Sequence, residues 1–153
     1  MSINDLQLNS ARKPGTGDLT AAINNNYIIS NFEGQPTIFT TNGKEVALYA
    51  TYPHSSTVSF CIQLNFSANI KQGRYEFHPN NLPVPPSFSY TEGGHTKGYN
   101  SDKGAGHLEI SEFDINEGTF KASFNFTFTD FDTNRRHQVV GNIDVSDLEH
   151  IEE

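Results

Sequence analysis

The chain has 153 residues, 18 acidic and 10 basic, for a formal net charge of −8. That is the size of one domain, and the wrong charge for a nucleic-acid or anionic-membrane surface, where Lys and Arg must displace counterions. A single cysteine, Cys61, excludes an intramolecular disulfide framework and a multi-cysteine zinc site, and reads as a buried or strand thiol.

Twelve Phe and six Tyr, with no Trp, supply most of the core volume. A domain of this length buries roughly 68–70% of its unfolded surface. Phe-rich, Asn/Thr/Ser-rich composition favours an all-β class. No run has the length of a membrane helix, and no apolar stretch of the signal-peptide kind follows Met1. The expectation is a soluble chain, cytoplasmic as written or exported by a non-Sec route.

In chain order, residues 1–17 contain Pro14, Gly15 and Gly17 and read as a flexible or docked arm, with a short helical turn at Ile3 and Leu6. The domain spans 18–146. Leu19, Ala21 and Ile23 alternate as a first strand, and Asn24-Asn25-Asn26 makes a tight turn, since Asn tolerates left-handed backbone. Tyr27 to Phe32 reads as a second strand closed by Glu33-Gly34-Gln35-Pro36. Asn42-Gly43, between Thr37–Thr41 and Lys44–Tyr52, is a hairpin signal of type I′, with Val46, Leu48, Ala50 and Tyr52 on one face. Val58, Phe60, Ile62, Leu64 and Phe66 alternate without a break, and Gly73 to Phe77 gives a short strand.

From His78 to Gly106 the alternation is lost among four prolines and five glycines, and only Ser87 to Thr91 fits an edge strand. A connection of that length reads as a binding loop or lid. His107 to Ile115 resumes the sheet with a change of parity near Ser111-Glu112, the mark of a β-bulge. The last hairpin, Gly118 to Val145, is the clearest element. Phe120, Ala122, Phe124, Phe126 and Phe128 share one face, answered by Val139, Gly141, Ile143 and Val145 on the return arm. Asp144, Asp147, Glu149, Glu152 and Glu153 make an acidic, solvated end, with 147–153 as a tail. The count predicts a single-domain antiparallel β-sandwich or barrel of eight to ten strands.

Leu19-Thr20-Ala21-Ala22-Ile23-Asn24, Gly73-Arg74-Tyr75, Ser89-Tyr90, Gly106-His107-Leu108-Glu109-Ile110 and Gly118 to Phe124 occur in an order that resembles small bacterial β-rich domains of unknown function, often Bacteroidetes surface lipoproteins. The resemblance covers about residues 18–145. It implies the scaffold and brings no catalytic residues. The family's signal peptide and lipobox cysteine are not seen in this sequence.

Candidate chemistry is sparse. Asp130-Phe131-Asp132-Thr133-Asn134 imitates the start of a calcium loop, but Arg135 and Gly141 stand where an EF-type loop needs Gly and Glu. It reads as a polar tip whose carboxylates Arg135 and Arg136 neutralise. Gly93 to Gly98 lacks the Gly-Lys-Ser/Thr order and the helix of a phosphate loop. His78, His95 and His107 are irregularly spaced for a metal, no Gly-x-Ser-x-Gly elbow occurs, and Glu109, Glu112 and Asp114 read as solvent-facing strand positions. No catalytic residue, metal or cofactor is expected. The expected activity is non-catalytic: binding or assembly with another protein, through the 78–106 segment or a sheet edge. The alternative is a glycan or small-ligand pocket near that segment. Candidate contact residues are Tyr90, His95, Lys97, Tyr99, Asp102 and His107, with His78 and Lys103 beside them.

Overall fold

The computed structural model describes residues 13–151, with the side chains of 103–105 excepted. Ten strands run in sequence: β1 (Thr16–Ile23), β2 (Asn31–Thr41), β3 (Glu45–Pro53), β4 (Val58–Ser67), β5 (Gly73–Glu76), β6 (Ser87–Glu92), β7 (His95–Asp114), β8 (Thr119–Asp130), β9 (Arg135–Ser146) and β10 (Glu149–His150). Each of β1, β2, β3, β4, β6, β7, β8 and β9 pairs antiparallel with the next, and β9 pairs with β1. The result is a closed eight-stranded ring, the barrel-like form of the expected all-β fold. β5 adds to β7, and β10 adds in parallel to the end of β2.

Two strands bend the sheet into a ring. β2 pairs with β1 through Asn31–Gly34 and with β3 from Gln35 onward. Its register shifts between Pro36 and Ile38. The sequence reading put a strand at Tyr27–Phe32 and a break at Glu33–Pro36. In fact β2 begins at Asn31 and runs through Pro36, because the missing N–H falls at the bulge where no ladder bond is lost. β7 likewise pairs with β6 through Asn100 and with β8 from Ser101. It bulges between Ser101 and Gly106 and again between Ile110 and Glu112, the second where the parity change placed it.

The 78–106 segment is therefore not one long loop. Gly93 and Gly94 take φ of 58° and 84° and join Glu92 directly to His95, a two-residue hairpin of the type that needs positive φ at both positions. β6 is no edge strand either, since it lies between β4 and β7. At Asn42-Gly43 the hairpin stands but the turn differs. Only Gly43 has positive φ, 89°, while the Asn42 side chain accepts from the N–H groups of Lys44 and Glu45, both at 2.9 Å. The Asn25 and Asn26 turn has the expected left-handed backbone. The segment read as a free tail carries β10, anchored by buried Leu148. The proposed turn at Ile3 and Leu6 lies outside the described residues.

The ring's interior is dry. Phe32, Phe39, Phe60, Phe66, Phe88, Phe120, Phe126 and Phe128 are fully buried, with Leu19, Leu48 and Ile62 among them. A ring of eight strands leaves space for its own side chains or for one small ligand; here the side chains fill it. An internal gap between Leu19, Ile62, Leu64, Pro86, Phe124 and Ile143 is too narrow for water. On β8 the alternation is complete: the Phe set points inward while Lys121, Ser123, Asn125, Thr127 and Thr129 face out. The outer face of β8 is polar, the inverse of a strand meeting lipid. No helix among the described residues is long and apolar enough to cross a membrane.

Phe126→Ala is expected to cost about 3–5 kcal/mol in chemical denaturation, against under about 0.5 kcal/mol for Ser123→Ala on the outer face. Equal losses would mean the inner face is misassigned. Excising Thr91–Lys103 removes the β6–β7 hairpin from the ring, so the shortened chain should lose its cooperative thermal transition. A retained native melting temperature would show that the hairpin does not close the sheet.

Candidate functional site

The β1–β2, β3–β4, β6–β7 and β8–β9 connections all lie at one end of the ring, because consecutive strands run antiparallel. The β1–β2 connection is fastened to β9. Asn24 accepts from the Gln138 N–H through its side chain (2.7 Å), and the Asn25 amide donates to the Arg136 carbonyl (3.0 Å). His137 is buried beneath, its Nδ1 2.9 Å from the Asn24 carbonyl; a carbonyl only accepts, so that nitrogen carries the proton.

This fastening lays Tyr27 across the ring's end. Its ring meets Phe60, Phe88, Tyr99, Phe128 and His137 edge-on, with centroids 4.9–6.2 Å apart. Such edge-to-face packing adds to simple burial. The hydroxyl reaches the Tyr99 hydroxyl at 3.4 Å. Burial, and then that bond, push the Tyr27 hydroxyl far above its ordinary value, so it stays protonated.

Beside the Tyr27 plug, an inward row follows the register Tyr52, Phe60, Tyr90, Lys97. The Tyr90 hydroxyl bonds Glu92 and that of Tyr52 meets His54 Nδ1 at 3.1 Å. Lys97 lies 5.0 Å from the Tyr99 ring centroid and donates to Asp130 at 3.0 Å and to Asp132. Those two hydrogen bonds, Asp132 first, raise the lysine above its usual range. Burial alone would lift the Asp130 carboxyl; Lys97 and the Asp132 N–H outweigh it and hold the group below its ordinary value. The tip carboxylates are thus neutralised by Lys97, not by Arg135 and Arg136 as the sequence implied. Among the described residues no group of three or more His, Cys, Asp or Glu side chains is placed to hold a metal.

The structure brings together Tyr90, Lys97 and Tyr99 and separates the other candidates. His95 is exposed at the hairpin's end, paired in register with Glu92. Asp102 is on the outer face, accepting from Thr127 and Thr129 at 3.0 Å each and pairing with Arg136 at 3.1 Å, which fastens the β7 bulge to its neighbours. His107 is further along that face, 3.3 Å from the Asn125 amide. His78 bonds the Pro83 carbonyl through its backbone N–H and lies away from all of these. The Lys103 side chain is outside the described residues.

No family model, no curated protein and no solved structure matches this chain.

Sequence reasoning missed Tyr27, Ile28 and Phe131. Among the described residues the exposed large apolar side chains are Phe131 (84%), Ile28 (59%) and Val140 (50%). Phe131 opens the β8–β9 tip, directly after β8 ends at Asp130. The signal was present: it is a phenylalanine out of phase with the inward series, between two aspartates. The tip is rigid by construction, with Asp132 N–H to Asp130 Oδ1 at 3.0 Å, Asn134 at φ 57°, and Lys97 tying both aspartates to β7.

Asp130 has a depressed folded value, so its contribution is present above the ordinary value of 3.8 and is lost as pH falls through the folded one. Asp130→Asn is expected to cost about 1 kcal/mol at pH 7, a modest figure because the Lys97 side chain is 39% exposed. The gap between variant and native should close on acidification below 3.8. A gap that is independent of pH in urea titrations would remove the ion pair from the account.

Proposed function

We propose that the chain is a non-catalytic recognition domain that binds a protein partner through the end of the ring carrying Phe131 and Ile28. The observation that carries this reading is Phe131, 84% exposed on a tip that Lys97, Asp130 and Asp132 hold in one shape. A rigid aromatic anchor binds with little loss of conformational freedom, and aromatic side chains in well-packed positions dominate interface energetics. Ile28 lies on the neighbouring connection, which is itself fastened to β9. The surrounding ionisable groups keep one state around neutral pH: Tyr27 protonated and uncharged, Asp130 ionised, Lys97 charged. That favours a stable recognition surface over proton transfer at neutral pH.

The alternative of a glycan or small ligand near residues 78–106 has the filled interior against it. A surface groove of 330 Å³ near that segment is lined by Ser67, Asn69, Ile70, Lys71, Tyr75 and Leu82. It contains none of the candidate contact residues.

The test is affinity capture from the native host with the intact chain and with Phe131→Ser/Ile28→Ser. Both positions are exposed, so the melting temperature should be preserved or slightly raised. A partner retained by the native chain and lost by the double variant is the expected outcome. A partner retained equally by both would place the binding surface elsewhere.

A further inference from the structure

The same chain carries a surface groove larger than a phenyl ring. Where β1 is paired on both sides, a groove of 270 Å³ opens on the outer surface, with Ala22 and Val140 in its floor and Thr20, Asn31, Glu33 and Asn142 around it. Ala22 and Val140 are direct cross-strand partners, so the apolar floor is continuous, and Val140 is half exposed. An enclosed cavity of about 150 Å³ holds a benzene ring, and this open groove, at 270 Å³, is larger than that.

Charge matches as well. Arg135 is exposed at the start of β9, beside the tip, and Glu33 is exposed at the groove's rim. Among the described residues neither forms an ion pair. The anchor therefore carries a free cation next to it and the groove a free anion. Both lie along β9, the groove at Val140 and Asn142 and the anchor just before Arg135. An anchor and its complement on one side of a molecule satisfy each other reciprocally across a two-fold axis.

We infer that the chain pairs two-fold with a second copy of itself, Phe131 of each copy entering the β1–β2–β9 groove of the other, with Arg135 facing Glu33. This rests on the reading of Phe131 as the anchor and specifies its partner.

Sedimentation velocity over a concentration series up to millimolar tests it. The native chain is expected to show a monomer–dimer equilibrium that stops at the dimer. Phe131→Ser and, independently, Val140→Lys in the groove floor should each weaken association roughly 100-fold or more, since a two-fold interface loses both anchors at once. Arg135→Glu and Glu33→Arg should each weaken the dimer alone, and an equimolar mixture of the two should recover it. All four positions are exposed, and thermal melts confirm that each variant is folded. A native chain that stays monomeric at millimolar concentration overturns the pairing. If capture still yields a Phe131-dependent partner in that case, the recognition reading stands without it. A dimer indifferent to Phe131→Ser overturns the pairing too, as does growth beyond the dimer, which would mean a head-to-tail contact.

Discussion

β1 hydrogen-bonds along both of its edges, to β9 through Thr16–Ile23 and to β2 through Leu19–Ala22, and this double pairing closes the sheet. Closure removes the unpaired edges that an open sheet of this length would present. It also fixes the interior volume, because eight strands allow only a narrow range of diameters. Phenylalanine suits that volume: its rings stack across the ring's interior, Phe88 on Phe60 at 5.9 Å and on Phe128 at 5.0 Å. Where a full side chain would not fit, glycine makes room. A Cβ on Gly141 would lie 2.7 Å from the Phe124 ring, its cross-strand partner, so the ring packs over bare backbone.

Closure has a second consequence at the ring's end. A dry interior must be capped, and the β1–β2 connection does so with Tyr27. The Asn24 and Asn25 side chains bond the cap to β9. Lys97 has the corresponding role on the other side, joining β7 to the β8–β9 tip through Asp130 and Asp132. The same contacts that seal the core therefore make the surrounding turns rigid. Ile28 and Phe131 project from those stiffened turns.

How far the sequence disclosed this depended on the range of the interactions. The Gly118–Val145 hairpin was legible because period-two alternation is local, and so was the bulge near Glu112, where parity changes within one strand. The Asn25-Asn26 turn was legible from backbone preference alone. The β6–β7 hairpin was misread for a different reason. Pro79, Pro83, Pro85 and Pro86 all precede β6, and their density masked Gly93-Gly94, which is itself a strong two-residue turn signal. β2 was divided at Pro36 because a proline in a strand is tolerated only at a bulge, and that bulge depends on β3. At the site, Tyr90, Lys97 and Tyr99 were named through their place in a supposed loop and share an inward face through strand parity. Tyr27 was out of reach, since its position comes from bonds to residues more than a hundred positions away.

Single exposed hydrophobic residues are ordinary on protein surfaces and need no explanation. Phe131 differs in how its backbone is held. A phenylalanine on a mobile turn can fold back onto the nearest apolar surface, and the nearby Tyr27 cap offers one. Here Lys97 ties both flanking aspartates, the Asp132 N–H closes on Asp130, and Asn134 adopts a left-handed conformation to complete the reversal. The turn holds the ring out into solvent, and three charged groups maintain that geometry. Those same aspartates imitate the start of a cation loop in the sequence, but in the structure both are bonded to Lys97 and flank the exposed Phe131. The charge at the tip positions the phenylalanine, and the proposed recognition surface rests on that geometry.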